Sequence, residues 1–483
     1  MSHTVEKIGG TSIANTDVIT RNVLIGGREG ADLYNRIFVV SAYAGMTNRL
    51  LEHKKSGEPG VFSLFASAGN KWAWTEALSG VEQAMQAKNA EIFRGEPELA
   101  TADHFVRERI EDVRNCLIDL HRLCSYGQFR LDENLTTVKE VLSSLGEAHS
   151  AFNTALLLRK RGVKAKCIDL TGWRDERTLT LDERIRDAFE SVDLASELPI
   201  VTGYASAPEG LVRQFNRGYT EVTFARIAAL TGAHEAIIHK EFHLSSADPK
   251  LVGEGKVRKI GLTNFDVADQ LSNMGMEAVH PKAAKILRQA GIPLRVKNTF
   301  DPADEGTVMQ ADYMPDAPRA EIITGLKGVY AIEVFDQDMV GEKGYDTAIL
   351  DALTRHSIRI VSKCSNANTI THYVDGSRKA VKRATADMEA ALGGAEVKVS
   401  RVAIVSVIGA DINVPGITAR ALSSLDGANV ALIGLQQVSR KTDIQVVIDE
   451  EDFDTAICAL HKALVETGAQ AERGKPQALR PAA

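Results

Sequence analysis

The sequence predicts an α/β protein: a mainly parallel sheet between helices, followed by a smaller α+β module written twice. Over the first 300 residues, short apolar, β-branched runs alternate with helical stretches, each run passing through loop residues into a helix. Past residue 320 the texture changes, and two stretches of roughly 75 residues repeat one order of elements.

In the first part the candidate strands are Val5 to Ile8, Ile37 to Ser41, Pro199 to Thr202, Glu235 to His239 and Pro293 to Val296. Phe62 to Gly146 interrupts them with charged, helix-periodic sequence, as in Phe105, Arg109, Ile110, Val113 and Leu117, and is expected to be a helical insertion or lid. Each later repeat reads strand, helix, two strands, helix. The first opens at Gly328 to Val334, with helices at Asp346 to Arg355 and Lys379 to Leu392. The second opens at Val402 to Gly409, with helices at Ile417 to Leu425 and Phe453 to Val465. The expected division is a catalytic domain over 1–310 with its insertion at about 62–146, modules over 320–397 and 398–470, and a disordered Gly-, Pro- and Gln-containing tail over 471–483.

Composition narrows the function. With 483 residues, 44% of them hydrophobic, the chain can bury several cores. Acidic side chains number 64 against 57 basic ones, and the basic ones are scattered, which argues against a nucleic-acid surface. No apolar run approaches the roughly 20 residues needed to span a bilayer, and no signal region opens the chain, so a cytoplasmic protein without membrane partners is expected. Five cysteines (Cys116, Cys124, Cys167, Cys364, Cys458) lack a Cys-x-x-Cys pair and read as buried thiols, neither zinc ligands nor disulfides.

Chemistry enters at Lys7-Ile8-Gly9-Gly10-Thr11-Ser12. A cation, two residues without a Cβ and two hydroxyls at the end of a strand are what a polyphosphate needs. The Lys precedes the glycines, unlike a P-loop, and would reach the phosphates from the strand side.

Four further segments follow in the order found in aspartate kinases, which this chain resembles over nearly its whole length. They are Val39 to Asn48 with Ser41 and Thr47; Leu145-Gly146-Glu147-Ala148-His149-Ser150; Phe215-Asn216-Arg217-Gly218-Tyr219-Thr220-Glu221; and Met276 to Ala283 with Ile292 to Thr299 and Gly306-Thr307. The resemblance implies an amino-acid kinase fold with two C-terminal ACT-type domains. It also implies transfer of the ATP γ-phosphoryl to the side-chain carboxylate of L-aspartate. A carboxylate is already a nucleophile, so the protein must align two anions and neutralise charge.

Lys7, with Gly10, is the expected stabiliser of the transferring group, and Gly9, Gly10, Thr11 and Ser12 are expected beside the phosphates. Mg²⁺ is expected with ATP, held mainly by phosphate oxygens and water, so no protein metal ligands are expected. Ser41 and Thr47 place hydroxyls nearby, and Arg217 can clamp the substrate α-carboxylate bidentately. By resemblance, Glu147 and Glu221 hold the substrate ammonium, and Tyr204 stands where the family has an aromatic residue near the substrate.

Two segments depart from the family. Tyr219-Thr220-Glu221 replaces Gly-Ser-Asp. His239 to Lys250 replaces the nucleotide segment and keeps only Asp248-Pro249, so Lys240 or Lys250 would meet ATP, with Lys256 or Arg258 as the second phosphate cation. Both departures, with the insertion, resemble the branch of the family associated with ectoine synthesis. Other branches feed lysine, threonine and methionine, and no fused homoserine dehydrogenase is expected.

ACT pairs imply a homo-oligomer, a dimer or more. Feedback by lysine or threonine is expected at loops Asp336 to Gly341 and Gly409 to Gly416, equal in weight to a pure dimerisation role. The alternatives are a kinase for another amino-acid carboxylate, such as glutamate, or a sensor that keeps the fold without turnover.

Overall fold

The computed structural model describes residues 2–54, 56–67, 72–215, 218–276 and 278–466. Arg217 and the tail expected to be disordered, 471–483, lie outside them. In chain order the first strands are β1 (Thr4–Ile8), β2 (Arg36–Val40), β3 (Ala165–Ile168), β4 (Leu198–Thr202), β5 (Glu235–Lys240), the short β6 (Leu262–Asn264), β7 (Leu294–Asn298) and β8 (Thr307–Gln310). The chain forms two compact units, Met1–His243 with Val279–Ala311, and Leu244–Ala278 with Asp312–Ala483.

In the first unit the strands run β3-β4-β2-β1-β5-β7-β8, parallel throughout except for the antiparallel β7–β8 pair. The run Ile37-Phe38-Val39-Val40 makes β2 a central strand because all four side chains are fully buried, as a strand covered on both faces requires. Beside it on β1, Glu6 is buried and would be costly alone. Its Oε1 accepts from Arg36 Nε at 2.7 Å, and Oε2 lies 2.7 Å from His239 Nε2. Burial raises the Glu6 pKa, but Arg36 and His239 outweigh it and hold the group well below the usual carboxylate range.

The helical insertion is Val61–Ala66, Ala73–Phe93, Glu98–Cys124 and the first half of Leu131–Lys160. Its helices share a core of Phe65, Leu78, Met85, Val106, Ile110, Val113 and Leu117, spaced as the periodicity predicted. Leu131–Lys160 continues unbroken past Gly146, where the sequence reading ended the insertion.

The second unit carries a sheet of β9 (Ile322–Phe335), β10 (Arg359–Ser365), β11 (Thr369–Asp375), β12 (Glu396–Ile408), β13 (Leu432–Gln437) and β14 (Asp443–Ile448), in the order β10-β11-β9-β12-β14-β13. Helices Tyr345–Arg355 and Arg378–Ala391 complete the first module, and Ile417–Asp426 and Phe453–His461 the second. The two long strands lie antiparallel, Glu396 opposite Phe335 and Ile408 opposite Ile322. Each serves both modules: Ile323 of β9 is buried in the second core, and Val397 of β12 packs against the first.

Two expectations are corrected. The span 1–310 is interrupted at Leu244–Ala278, which joins the second unit because Ala247 and Val252 are buried with Ile323, Val405, Ile444 and Ile457. The cysteines are free, as expected, but not buried. Cys116, Cys364 and Cys458 are exposed and Cys124 is partly so, while Cys167 is partly exposed but packs against the core of the first unit.

Candidate active site

The carboxyl ends of parallel strands lie along one edge of the first unit, and the chain changes direction across the sheet at β1, passing to β2 on one side and returning at β5 on the other. Such a switch point leaves a crevice for ligands. The loop after β1 and the loop after β2 meet there: Ser41 N–H donates to Ile8 O and Ala44 N–H to Gly10 O, both at 3.1 Å. That contact requires glycine at position 10, since a Cβ would stand 2.7 Å from Ala42 O.

A cavity of about 310 Å³ opens between them, lined by Gly10, Thr11, Ser41, Tyr43, Thr47 and Glu147 among others, with Tyr219 and Thr220 closing one side. Lys7 is 9% exposed, and its Nζ lies 3.2 Å from Glu221 Oε1. The other Glu221 oxygen, Oε2, accepts from His280 N–H at 2.5 Å. Burial raises the Glu221 pKa, while the Lys7 and Lys240 charges and the His280 N–H more than offset it, leaving it below the usual value.

Glu147 is the opposite case. It is 2% exposed and its Oε1 accepts from Thr220 Oγ1 at 2.6 Å. Its Oε2 is buried without a hydrogen bond of acceptable geometry, although the N–H groups of Tyr204 and Ala42 lie near enough to favour charge. Burial dominates and pushes its pKa up to about 8, against the opposing pull of Thr220 and Lys7. Gly203 leaves room for it, since a Cβ there would stand 3.1 Å from Glu147 Oε2 and 2.3 Å from Thr220 Cγ2.

Lys7, Gly10, Thr11, Ser41, Thr47, Glu147 and Glu221 therefore come together, and Gly9 adjoins them, a Cβ there lying 3.9 Å from Lys7 Nζ. Ser12 differs from expectation: it is fully buried, donating to Glu241 Oε1 at 2.7 Å and accepting from Thr299 Oγ1 at 3.3 Å, so its hydroxyl ties the loop internally. Tyr204 stands one ring back, edge-on to Tyr219 at 5.6 Å, and lines a separate cavity of about 750 Å³ together with Glu140.

Asp248, Lys250, Lys256 and Arg258 belong to the second unit. There Asp248 caps helix Pro249–Val252 by accepting from Lys250 N–H, Lys256 lines a cavity with Ser424, Cys458 and Lys462, and the Arg258 guanidinium donates to Val465 O. Sequence reasoning missed Tyr43 and Tyr219 as lining residues, although both lay inside quoted motifs.

Among the described residues, His243, Asp301 and Asp304 form the one cluster able to offer a cation three ligand atoms within 4.8 Å of one another. His243 Nε2 is 3.2 Å from Asp301 Oδ2, a contact between neighbouring loops. An imidazole suits Mg²⁺ poorly, since that ion prefers oxygen. No described helix is long and apolar enough to cross a membrane.

Comparison with known proteins accords with this geometry. The amino acid kinase family matches residues 3–298, and an ACT domain matches 405–464. The chain is 55% identical over 464 residues to the aspartate kinase Ask_Ect of Stutzerimonas stutzeri, covering 96% of this chain and 98% of that one. It is 26% identical over 340 residues to aspartokinase 1 of Bacillus subtilis, covering 67% and 81%. The crystal structure of Escherichia coli aspartokinase III with lysine and aspartate superposes with a TM-score of 0.72 at 17% identity, covering 96% of this chain and all of that one, a likeness of fold. A family match over residues 3–298, a relative at more than half identity over nearly the whole of both chains and paired C-terminal modules place this chain in the amino acid kinase family, among the aspartate kinases, ATP-using phosphotransferases with a carboxyl group as acceptor.

Proposed function

We propose that this site binds ATP with Mg²⁺ at the two glycine loops and L-aspartate against Glu147, and makes 4-phospho-L-aspartate. The observation that carries the reading is the buried Glu147 Oε2, left without a hydrogen bond beside the cavity, with the Lys7 charge near enough to act on the same carboxylate. An ammonium group is the partner such an oxygen lacks, and an α-amino acid supplies one. The substrate's other carboxylate then points toward Lys7. In the step itself a carboxylate oxygen forms a bond to the γ-phosphorus while the bond to the β–γ bridging oxygen breaks and ADP leaves, so no base is needed.

Lys7 neutralises the charge gathered on the transferring group. Glu221, expected from the sequence to take the ammonium, is read instead as the group that holds Lys7, because both its oxygens are engaged. Arg217 is proposed as the clamp for the α-carboxylate, and Ser41 and Thr47 as hydroxyl donors to the ligands. Mg²⁺ would be held chiefly by phosphate oxygens, with Thr11 near, and would shield the phosphates from the incoming anion. Lys256 and Arg258 are no part of this proposal, having partners or cavity positions of their own in the second unit.

We further propose two ACT domains over 320–397 and 398–470 that bind a lysine- or threonine-like effector and join copies of the chain, cytoplasmic location, and supply of the ectoine branch. The last rests on the two departing segments and the insertion, which resemble that branch, and on the 55% identity to Ask_Ect. ADP release by purified protein with ATP, Mg²⁺ and either L-aspartate or L-glutamate tests the core reading. Turnover with aspartate alone is expected; none with either ends the kinase reading.

A further inference from the structure

The helical insertion does more than cover the first unit, because one of its side chains reaches both glycine loops. Lys88, on helix Ala73–Phe93, has a side chain only 12% exposed. Its Nζ donates to Ala14 O at 2.7 Å and pairs with Glu91 at 2.7 Å. Ala14 ends the short helix that Gly10 begins, so the ammonium grips the far end of the first loop. The same Nζ stands 5.3 Å above the ring of Tyr43, in the second loop.

Tyr43 is itself wedged. Its ring meets His149 edge-on at 5.3 Å, and its hydroxyl is bonded by Asn153 and Thr154. The next residue of the insertion, Asn89, is fully buried: Oδ1 accepts from Asn153 Nδ2 at 2.7 Å and lies 2.7 Å from His149 Nε2. Burial, aided by the Lys88 charge, holds His149 down at about 3, so the ring is neutral at neutral pH. His149 lies two residues beyond Glu147 on the same helix, and Ser150 Oγ donates to Ser41 O at 2.8 Å. Lys88 and Asn89 together therefore touch the first loop, the second loop and the helix that carries Glu147.

We propose that Lys88 is a positioning residue for phosphoryl transfer, fixing the two glycine loops to one another from the insertion so that the phosphate cradle is set before ATP binds. The ammonium–carbonyl bond is charge-assisted and shielded from water. Its opposition to the negative end of the Gly10–Ala14 helix and its place over the Tyr43 ring add to it. Displacing catalytic groups by about 1 Å can cost roughly 100-fold in rate, which is how a residue outside the cavity acts on turnover. The inference rests on reading the glycine loops as the phosphate cradle.

The test uses the full chain as K88M, K88Q and K88R, with kcat and both KM values from ADP release and folding followed by circular dichroism. The expected result is kcat at least about tenfold lower in K88M and K88Q, KM for ATP raised, KM for aspartate within about twofold, and kcat of K88R within about threefold of wild type. Folded K88M or K88Q with wild-type kcat overturns the proposal. So does a loss in K88R as large as theirs, or a change confined to KM for aspartate. If the Met and Gln variants do not fold, K88R alone decides, a tenfold loss in folded protein counting against. Absence of turnover in the wild type strikes the kinase reading instead, so the two failures are distinguishable.

Discussion

Two ends of one site treat a buried carboxylate in opposite ways. At the end proposed for the phosphates Glu221 meets Lys7 and the His280 N–H, and is held below the usual carboxylate value. At the end proposed for the substrate Glu147, also close enough to feel Lys7, keeps one oxygen without a hydrogen bond and is pushed up by burial to about 8. The difference is one of completed against incomplete partnership. Glu221 belongs to a pair finished within the protein, whereas Glu147 keeps one oxygen that the proposed substrate ammonium would complete.

Removing the cation that both ends share breaks this contrast most severely. Lys7→Ala is expected to lower kcat by about 10³-fold or more with KM for aspartate changed only about threefold, measured by steady-state ADP release. A change confined to KM would place Lys7 at the substrate end.

Glu147→Gln is expected to raise KM for aspartate by about 10- to 100-fold, the worth of a charge-assisted bond. The sign of the pH dependence follows. Free Glu147 is protonated below about 8 and must lose that proton to receive an ammonium. KM for aspartate in the wild type should therefore rise about tenfold per unit as pH falls below that value, and level off above it. The Gln variant should show no such slope.

Glu221→Gln keeps shape but loosens Lys7, so kcat is expected to fall about tenfold with the aspartate pH profile unchanged. The smallest effect concerns stability. A carboxyl whose folded pKa is raised from 4.5 to about 8 favours the folded state most below 4.5, and that advantage is lost as pH rises through 8. Thermal midpoints of Glu147→Gln should accordingly exceed wild type at pH 9 and converge with it at pH 5. A constant offset would mean that Glu147 is solvated in the folded protein.

The parts of this site that sequence made legible are those whose chemistry is local. Lys7 to Thr11 reads as a phosphate loop because cation, glycines and hydroxyl are neighbours in the chain, and Gly146-Glu147 reads through its motif. The Lys7–Glu221 pair spans 214 residues and rests on strand order, so the sequence could offer Glu221 as an acid but not say which cation holds it. Ser12 was misjudged for the reverse reason: its neighbours suggest a phosphate ligand, but the loop turns it inward onto Glu241. The insertion was legible as helices from their periodicity, but that Leu131–Lys160 runs through into the site was not, because periodicity does not announce where a helix changes its surroundings. Leu244–Ala278 likewise reads as part of the kinase sequence, and only tertiary packing shows its apolar residues in the second unit.

The crossed long strands of the second unit have a consequence for how such a chain can be divided or inherited. Since β9 and β12 each close both modules, a gene encoding either module alone would specify a sheet lacking one of its inner members. A one-residue deletion between Val397 and Ala403 would put the part of β12 that packs on one module out of register with the part that packs on the other.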